Sequence, residues 1–288
     1  MIKPKRLSVS IVIPAYNEEL HLRACLTAVA AQTVKPFEVI VVDNGSTDKT
    51  AEIARSFSFV RIAKEPKRGL IHARSTGYDA ANGDVIARTD ADAIVAPDWI
   101  EQIQNVFSDG NVDAVSGVIG LYDVPFERFF ASIELFFRRY IARNLAKHGQ
   151  LFLYGGNMAM RRELWQNMAA KVCQKPEYHE DIDLAAHLAS EPFTVAFDER
   201  MKVKVSARRV DQTWRSFTPY VAANGRVYKA HNLIGRFYMY PVEFIVLLFF
   251  PILKLLYKGY DSQNHRFSWR HLVSSKTPRV TPLSIGDV

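Results

Sequence analysis

Cysteine is scarce: the 288 residues contain 2, Cys25 and Cys173. Two cysteines cannot build a disulfide framework, and their spacing matches no zinc-binding motif, so both read as inert buried thiols suited to a reducing compartment. Glycine (14) and proline (13) are too few for collagen-like or low-complexity segments, and no heptad persists, which excludes a coiled coil. Long apolar runs are missing too. Residues 244–253 are unbroken and apolar, and 242–257 hold only Glu243 and Lys254 as charges. Both stretches stop short of the roughly 20 residues a bilayer span needs, so a buried or interfacial helix is expected there. No G-x-G-x-x-G follows the first strand and no G-x-x-x-x-G-K-[ST] occurs, which excludes a dinucleotide fold and a P-loop. The run 7–13 is short and broken by Ser8 and Ser10, so no cleaved signal peptide is expected.

Apolar residues make up 48%, too many for a disordered chain. Lys+Arg (37) exceed Asp+Glu (30) by 7. That excess admits phosphates or anionic membranes as partners. The basic residues interleave with apolar helical segments and no recognition motif appears, so nucleic acid is not an expected partner.

The first 120 residues read as repeated β-α units. Apolar, β-branched strands are expected at 7–13, 37–42, 59–63, 84–89 and 112–119, and helices at 18–32, 49–57, 69–81 and from Pro97 onward. Glu18 and Glu19 would then sit in a first helical turn. This alternation implies an α/β fold built on a mostly parallel twisted sheet flanked by helices. Ligands of such sheets bind beyond the carboxyl ends of the strands, and the polar clusters after strands one, two and four fall there. Further on, 125–147 is a helix mixing Phe with Arg, 151–154 suggests a strand, 161–170 and 181–190 suggest helices, and 193–197 and 202–206 suggest strands. A polar, poorly ordered tail is expected from Asp261.

Four clusters carry chemistry. Asp90-Ala-Asp92 offers hard oxygen donors suited to Mg²⁺ or Mn²⁺, or else a solvated loop before the next helix. Asp43-Asn-Gly-Ser-Thr-Asp48 supplies a helix cap from Asp48 or Thr47, while Asp43 could accept hydrogen bonds from a base or a ribose. Pro14-Ala-Tyr-Asn-Glu18 opens a helix whose N–H groups could meet a nucleotide, with Asn17 capping as the alternative. Glu180-Asp181-Ile-Asp183 offers either dipole partners for a helix or a general base for an acceptor hydroxyl.

These pieces, with Asn82-Gly-Asp and Gly155-Gly-Asn-Met-Ala-Met-Arg-Arg, occur in an order and spacing that closely resembles the family 2 glycosyltransferases of GT-A fold, over residues 8 to about 190. The resemblance implies an inverting transfer from a nucleotide-diphospho-sugar donor to an acceptor hydroxyl, on a glycan or a lipid-linked acceptor. It implies a nucleotide site at Pro14, Ala15, Tyr16, Asn17, Glu18, Asp43, Arg74, Asp90 and Ala91. Asp90 and Asp92 would hold Mg²⁺ or Mn²⁺, Asp181 would be the catalytic base with Glu180 beside it, and Gly155, Gly156 and Asn157 would line the sugar and acceptor side. Residues 1–210 would form the catalytic domain and 211–288 a C-terminal helical extension. Asn44 stands where many members have a second Asp, and the Q-x-x-R-W motif of processive synthases is missing, which favours transfer of single sugars. Arg208-Arg209 could grip diphosphate oxygens. A cytoplasmic protein in peripheral contact with the cytoplasmic face of a membrane is expected, because two amphipathic or apolar segments occur in one chain. The competing functions are a nucleotidyltransferase of related fold, whose Gly-rich basic loop is missing, and a catalytically silent sugar-nucleotide-binding protein.

Overall fold

The structure is a computed structural model that describes residues 6–268 except 109, 262, 263 and 265. The N-terminal residues 1–5 and nearly all of the expected polar tail lie outside the described residues. The strands of the main sheet are β1 (Val9–Ala15), β2 (Glu38–Asp43), β3 (Val60–Lys64), β4 (Val85–Thr89), β5 (Ala93–Val95), β6 (Ala114–Leu121), β7 (Asn157–Arg161) and β8 (Val195–Val205), and Tyr260–Asp261 pairs separately with Arg266–Phe267. The helices are α1 (Leu22–Ala30), α2 (Thr50–Arg55), α3 (Leu70–Ala80), α4 (Trp99–Phe107), α5 (Glu127–Ala146), α6 (Arg162–Met168), α7 (Glu180–Leu188), α8 (Trp214–Val221), α9 (Ala223–Ala230) and α10 (Gly235–Gly259).

One eight-stranded sheet runs in the order β3-β2-β1-β4-β7-β6-β8-β5. The first four pair in parallel, as the alternating β-α pattern dictates. β7 then inserts antiparallel between β4 and β6, and β5 closes the far edge antiparallel to β8. β6 and β8 therefore run with the parallel set.

Both faces of the sheet are covered, and side-chain alternation divides the core in two. Ile11, Ile13, Val39 and Val41 point to one face, where Leu22, Leu26 and Val29 of α1 and Trp99, Ile100 and Ile103 of α4 cover them. Val12, Ile40, Val42 and Ile86 point to the other, against Tyr78 of α3, Leu164 and Trp165 of α6 and Leu184 of α7. Helix α3 approaches closely because Gly77 faces the sheet: a Cβ there would lie 2.3 Å from Val12 Cγ1. The Asn82-Gly-Asp segment clamps the start of β1, with Ser8 N and Oγ donating to Asp84 Oδ2 at 2.9 and 2.7 Å.

Several sequence expectations are corrected. Helix α1 begins at Leu22 rather than at 18, so Glu18 and Glu19 lie ahead of it, and its first turn contains no acid. The strand expected at 151–154 forms instead at β7, because Asn157 and the alternating apolar residues after it pair across to both β4 and β6. The segments 193–197 and 202–206 merge into the single strand β8. The apolar segment 242–257 is the centre of a longer helix: α10 has 25 residues and retains Pro241 and Pro251 within it.

The residues after 211 do not stand apart. Val227, Tyr228 and Met239 share an apolar cluster with Ile141 and Leu145 of α5 and Ile182 and Ala186 of α7. Glu243 is buried and accepts from Gly225 N at 2.6 Å. The outer face of α10 keeps Phe244, Leu248, Ile252 and Leu255 exposed, and Phe126 just ahead of α5 with Phe129 and Phe136 on it are exposed too.

Candidate active site

The parallel strands deliver their carboxyl ends to one edge of the sheet. Ala15, the last residue of β1, pairs with Asp43, the last of β2. Next to them, β4 ends at Thr89 and hands on to Asp90. Beside this edge opens a cleft of about 620 Å³. Its lining includes the basic side chains of Lys67, Arg68 and His72, the group Asp90, Gly155, Gly156, Glu180 and Asp181, and the apolar Phe217, Val221, Met239, Val242 and Val246. The lining thus combines cationic, acidic and apolar groups.

The acidic group is organised by Arg88. This arginine is 2% exposed inside β4. A buried guanidinium is tolerable only when paired. Its Nη1 donates to Glu180 Oε1 at 2.5 Å, and its Nη2 lies 3.5 Å from Asp90 Oδ1. It therefore joins the end of β4 to the first turn of α7, 92 residues away. Gly155 makes room for it: a Cβ there would sit 2.4 Å from Arg88 Nη1. The same glycine donates its N–H to Asp181 Oδ2 at 2.6 Å, and Ile182 N donates to Asp181 Oδ1 at 2.8 Å.

Neighbouring carboxyls at this point are driven apart. Burial raises the Asp181 carboxyl above its ordinary value, and the charge of Glu180 raises it further. Burial also disfavours the charge of Glu180, but Arg88 and Arg74 outweigh it and hold that carboxyl below the usual range. One acid fixed as an anion beside another with raised proton affinity is the arrangement acid–base chemistry uses.

A second buried network lies behind Asp90. Arg208 follows β8 in a short 3-10 turn and is 6% exposed. Its Nε donates to Asp92 Oδ2 at 3.0 Å, and its Nη2 donates to both Glu18 oxygens at 2.5 and 2.6 Å. Asp92 is 1% exposed, whereas Asp90 opens to the cleft. Two carboxylates one residue apart form a donor set that fits Mg²⁺ or Mn²⁺, with Asp90 facing the cleft and Asp92 shared with Arg208.

On the other flank, Asn17 adopts φ 53°, a conformation asparagine tolerates, and its Oδ1 accepts from Thr47 N at 2.9 Å. Asn17 thus binds the turn after β2 rather than capping α1. Asp43 Oδ1 accepts from Ser46 N at 2.9 Å. Asp48 accepts from Thr50 N at 2.9 Å and supports the start of α2. Asn44 is buried, donating to Glu65 O and Lys67 O and accepting from Gly69 N, so it shapes the 65–69 loop. From that loop Arg68 reaches back over the Tyr16 ring, 3.9 Å from its centroid.

Of the residues chosen from sequence, Asp90, Gly155, Gly156, Glu180 and Asp181 meet in the cleft. Pro14, Ala15, Tyr16, Asn17, Glu18 and Asp43 gather at the adjoining strand ends without lining it. Three others lie buried outside the cleft lining. Arg74 is 1% exposed, outside the cleft lining, and bonds Glu180 O at 2.8 Å, so it anchors α7 from behind. Asn157 is fully buried in β7, donating to Val118 O and Met201 O and accepting from Trp99 Nε1; it ties three parts of the fold together. Ala91 packs its methyl group into the core.

The sequence did not single out Arg88, Lys67, Arg68, His179 or Tyr220, whereas Arg209, named with Arg208 as a grip for diphosphate oxygens, does line the cleft. A lone arginine inside an otherwise apolar strand was a legible signal, since such a charge requires a partner. His179 Nε2 lies 2.8 Å from Tyr220 O, and Arg209 stacks 3.8 Å from the Tyr220 ring centroid. That contact is set by α8, whose sequence carries no motif.

Comparison with known proteins agrees with this geometry. The profile described as "Glycosyl transferase family 2" matches residues 10–168. Glycosyltransferase AglE of Haloferax volcanii is 34% identical over 157 residues, covering 50% of this chain and 52% of that protein. The chain spans about half the length of this curated relative. The mannosyltransferase PcManGT of Pyrobaculum calidifontis, solved with GDP-Man and Mn²⁺, superposes with a TM-score of 0.59 at 21% identity over 88% of this chain and 73% of that one. Glucosyl-3-phosphoglycerate synthase of Mycobacterium tuberculosis, solved with Mn²⁺, UDP-Glc and phosphoglyceric acid, gives 0.57 at 19% identity over 79% and 80%. At those identities the likeness shows the GT-A fold. With the matched profile running from β1 to the end of α6, the chain belongs to glycosyl transferase family 2.

Proposed function

We propose that this chain transfers one sugar at a time, with inversion, from a nucleotide-diphospho-sugar to an acceptor hydroxyl. The observation that carries the reading is the Arg88 bridge, which sets Asp90 and the Glu180–Asp181 pair into one cleft. The acceptor oxygen attacks the anomeric carbon, the bond from that carbon to the diphosphate breaks, and its electron pair leaves with the diphosphate. Asp181 takes the acceptor proton; its raised pKa makes it a stronger base than an ordinary carboxylate, and its two backbone N–H donors fix its orientation. Glu180 stays ionised and keeps Arg88 in place. A divalent ion held by Asp90 and Asp92 would supply positive charge where the departing diphosphate develops negative charge. The solved relatives bound to Mn²⁺ and nucleotide sugars support that expectation. Release of Arg208 from both Asp92 and Glu18 would free its guanidinium for diphosphate oxygens, with Arg209 adjacent. The nucleoside would sit at Tyr16, Asn17 and Asp43, a rim that Arg68 covers in this structure.

Residues 1–210 would bind the donor, and 211–288 would contribute the acceptor side. The apolar part of the cleft lining and the exposed faces of α5 and α10 support a lipid-linked acceptor and peripheral contact with a membrane. Among the described residues α10 is long and apolar enough to cross a membrane, and little of its apolar stretch is buried inside the protein. Buried Glu243, and Lys254 bonded to Asp211 O and Gln212 O, tie one face of it to the protein, which favours an interfacial position.

The test is a screen of nucleotide-sugars by thermal shift with and without Mn²⁺, repeated on Asp92→Asn. Donor binding should require the metal and weaken in the variant; unchanged Mn²⁺-linked affinity refutes the metal role. Flotation with anionic liposomes tests the membrane: no binding at low or high salt removes that part.

A further inference from the structure

Away from the cleft, four side chains that the proposed reaction does not use converge from three parts of the chain. Cys173 lies in the loop after α6, Asp183 and His187 lie one turn apart on α7, and His231 follows α9. Their ligand atoms all fall within 4.8 Å of one another. Cys173 Sγ is 3.6 Å from His187 Nε2 and 4.0 Å from His231 Nε2. Asp183 Oδ1 is 3.0 Å from His231 Nε2, and Asp183 Oδ2 is 3.7 Å from His187 Nε2. Around a tetrahedral zinc ion with the usual bond lengths, neighbouring ligand atoms stand about 3.3–3.6 Å apart. The separations, with those of Asp183 taken to its two different oxygens, lie on either side of that range.

We propose that Cys173, Asp183, His187 and His231 form a structural Zn²⁺ site. The donor set decides the metal: one thiolate and two imidazoles are too soft for Mg²⁺ or Mn²⁺ and suit zinc, and four protein ligands leave no open position for catalysis. The surroundings fit a closed site. Asp183 is 1% exposed, and its Oδ2 also accepts from Cys173 N at 2.8 Å, an outer contact that orients the carboxylate. The two histidine side chains are 23% and 19% exposed, which leaves the ion a way in. Asp183 is two residues from Asp181, so the ion would lock α7, and the carboxyl on it, to the C-terminal helices through His231.

Cys173, expected to be a buried thiol, is only partly buried and lies beside two imidazoles. Its partners lie 10, 14 and 58 residues away, so no short zinc motif exists to be read.

The experiment uses the full chain purified without a polyhistidine tag and without chelator. Elemental analysis should find close to one zinc per chain. Chelator treatment should lower the melting temperature, and Zn²⁺, but not Mg²⁺ or Mn²⁺, should restore it. Cobalt substitution of the unaltered protein should give the visible and near-ultraviolet bands of a tetrahedral thiolate complex, a readout that needs no variant. Cys173→Ser should abolish the thiolate band and reduce zinc content, while His148→Ala, a histidine outside the cluster, should leave both unchanged. Zinc well below stoichiometric together with no thermal shift on adding Zn²⁺ overturns the site. So does a cobalt spectrum lacking the thiolate band.

Discussion

Replacing Arg88 with methionine keeps most of its volume and deletes its charge. Glu180 then remains as a buried carboxylate whose strongest partner is gone: the Arg88–Glu180 contact is 2.5 Å, and the two side chains are only 3% and 5% exposed. Arg74 does not replace it, because its Nη1 is bonded to the Glu180 backbone oxygen at 2.8 Å. Removing one partner of a buried pair costs about 3–5 kcal/mol. At about 2–4 °C per kcal/mol for domains near this size, thermal unfolding at pH 7 should shift down by about 6 °C or more. Dependence on pH gives an independent check. In the native protein Glu180 titrates below its ordinary value, so its stabilisation is fully present above about pH 4.3 and disappears as the pH falls through the depressed value. The gap between native and Arg88→Met should therefore be widest near neutrality and should narrow in acid. The double variant Arg88→Met/Glu180→Gln should recover most of the loss, because no uncompensated charge is left. Equal melting temperatures for native and Arg88→Met at pH 7, or a double variant no more stable than Arg88→Met alone, would refute this account of the pair.

Asp181→Asn should leave donor affinity intact and lower transfer by about 10²-fold or more, the scale of losing a general base. In the native enzyme the raised Asp181 value places the acid limb of the pH–rate profile above the ordinary carboxylate range, and that limb should vanish with Asp181→Asn; a fully active variant means the base lies elsewhere. Gly155→Ala should damage transfer more than donor binding, since the new Cβ would meet the Arg88 guanidinium 2.4 Å away; a variant with normal kinetics would show that Arg88 can move without consequence.

Much of the molecule was legible because local patterns and long-range packing agree. The alternating strands and helices of the first 120 residues are stated by the sequence, and parallel pairing then carries Asp43 and Asp90 to one edge. The Asp181 segment was identifiable through its ordered neighbours, although the chain does not say what holds it. What escaped was decided by contacts between distant residues. Asn157 reads as a ligand-facing residue within Gly155-Gly-Asn, yet β7 turns its amide into the core. Arg74 reads as a cation for a nucleotide, yet α3 directs it inward beneath α7. Glu18 reads as a helix-dipole partner, yet it meets Arg208 from 190 residues further along the chain.

The sequence by itself determined the β-α order, the division of the core by alternating apolar residues, and the acidic clusters at strand ends, because these follow from periodicities of two and of about 3.6 residues. Tertiary structure alone decided which charges are paired and which remain open to a ligand. Pairing depends on distances between residues such as Arg88 and Glu180 or Cys173 and His231. Those distances are fixed only when the antiparallel strand and the C-terminal helices close on the parallel half of the sheet.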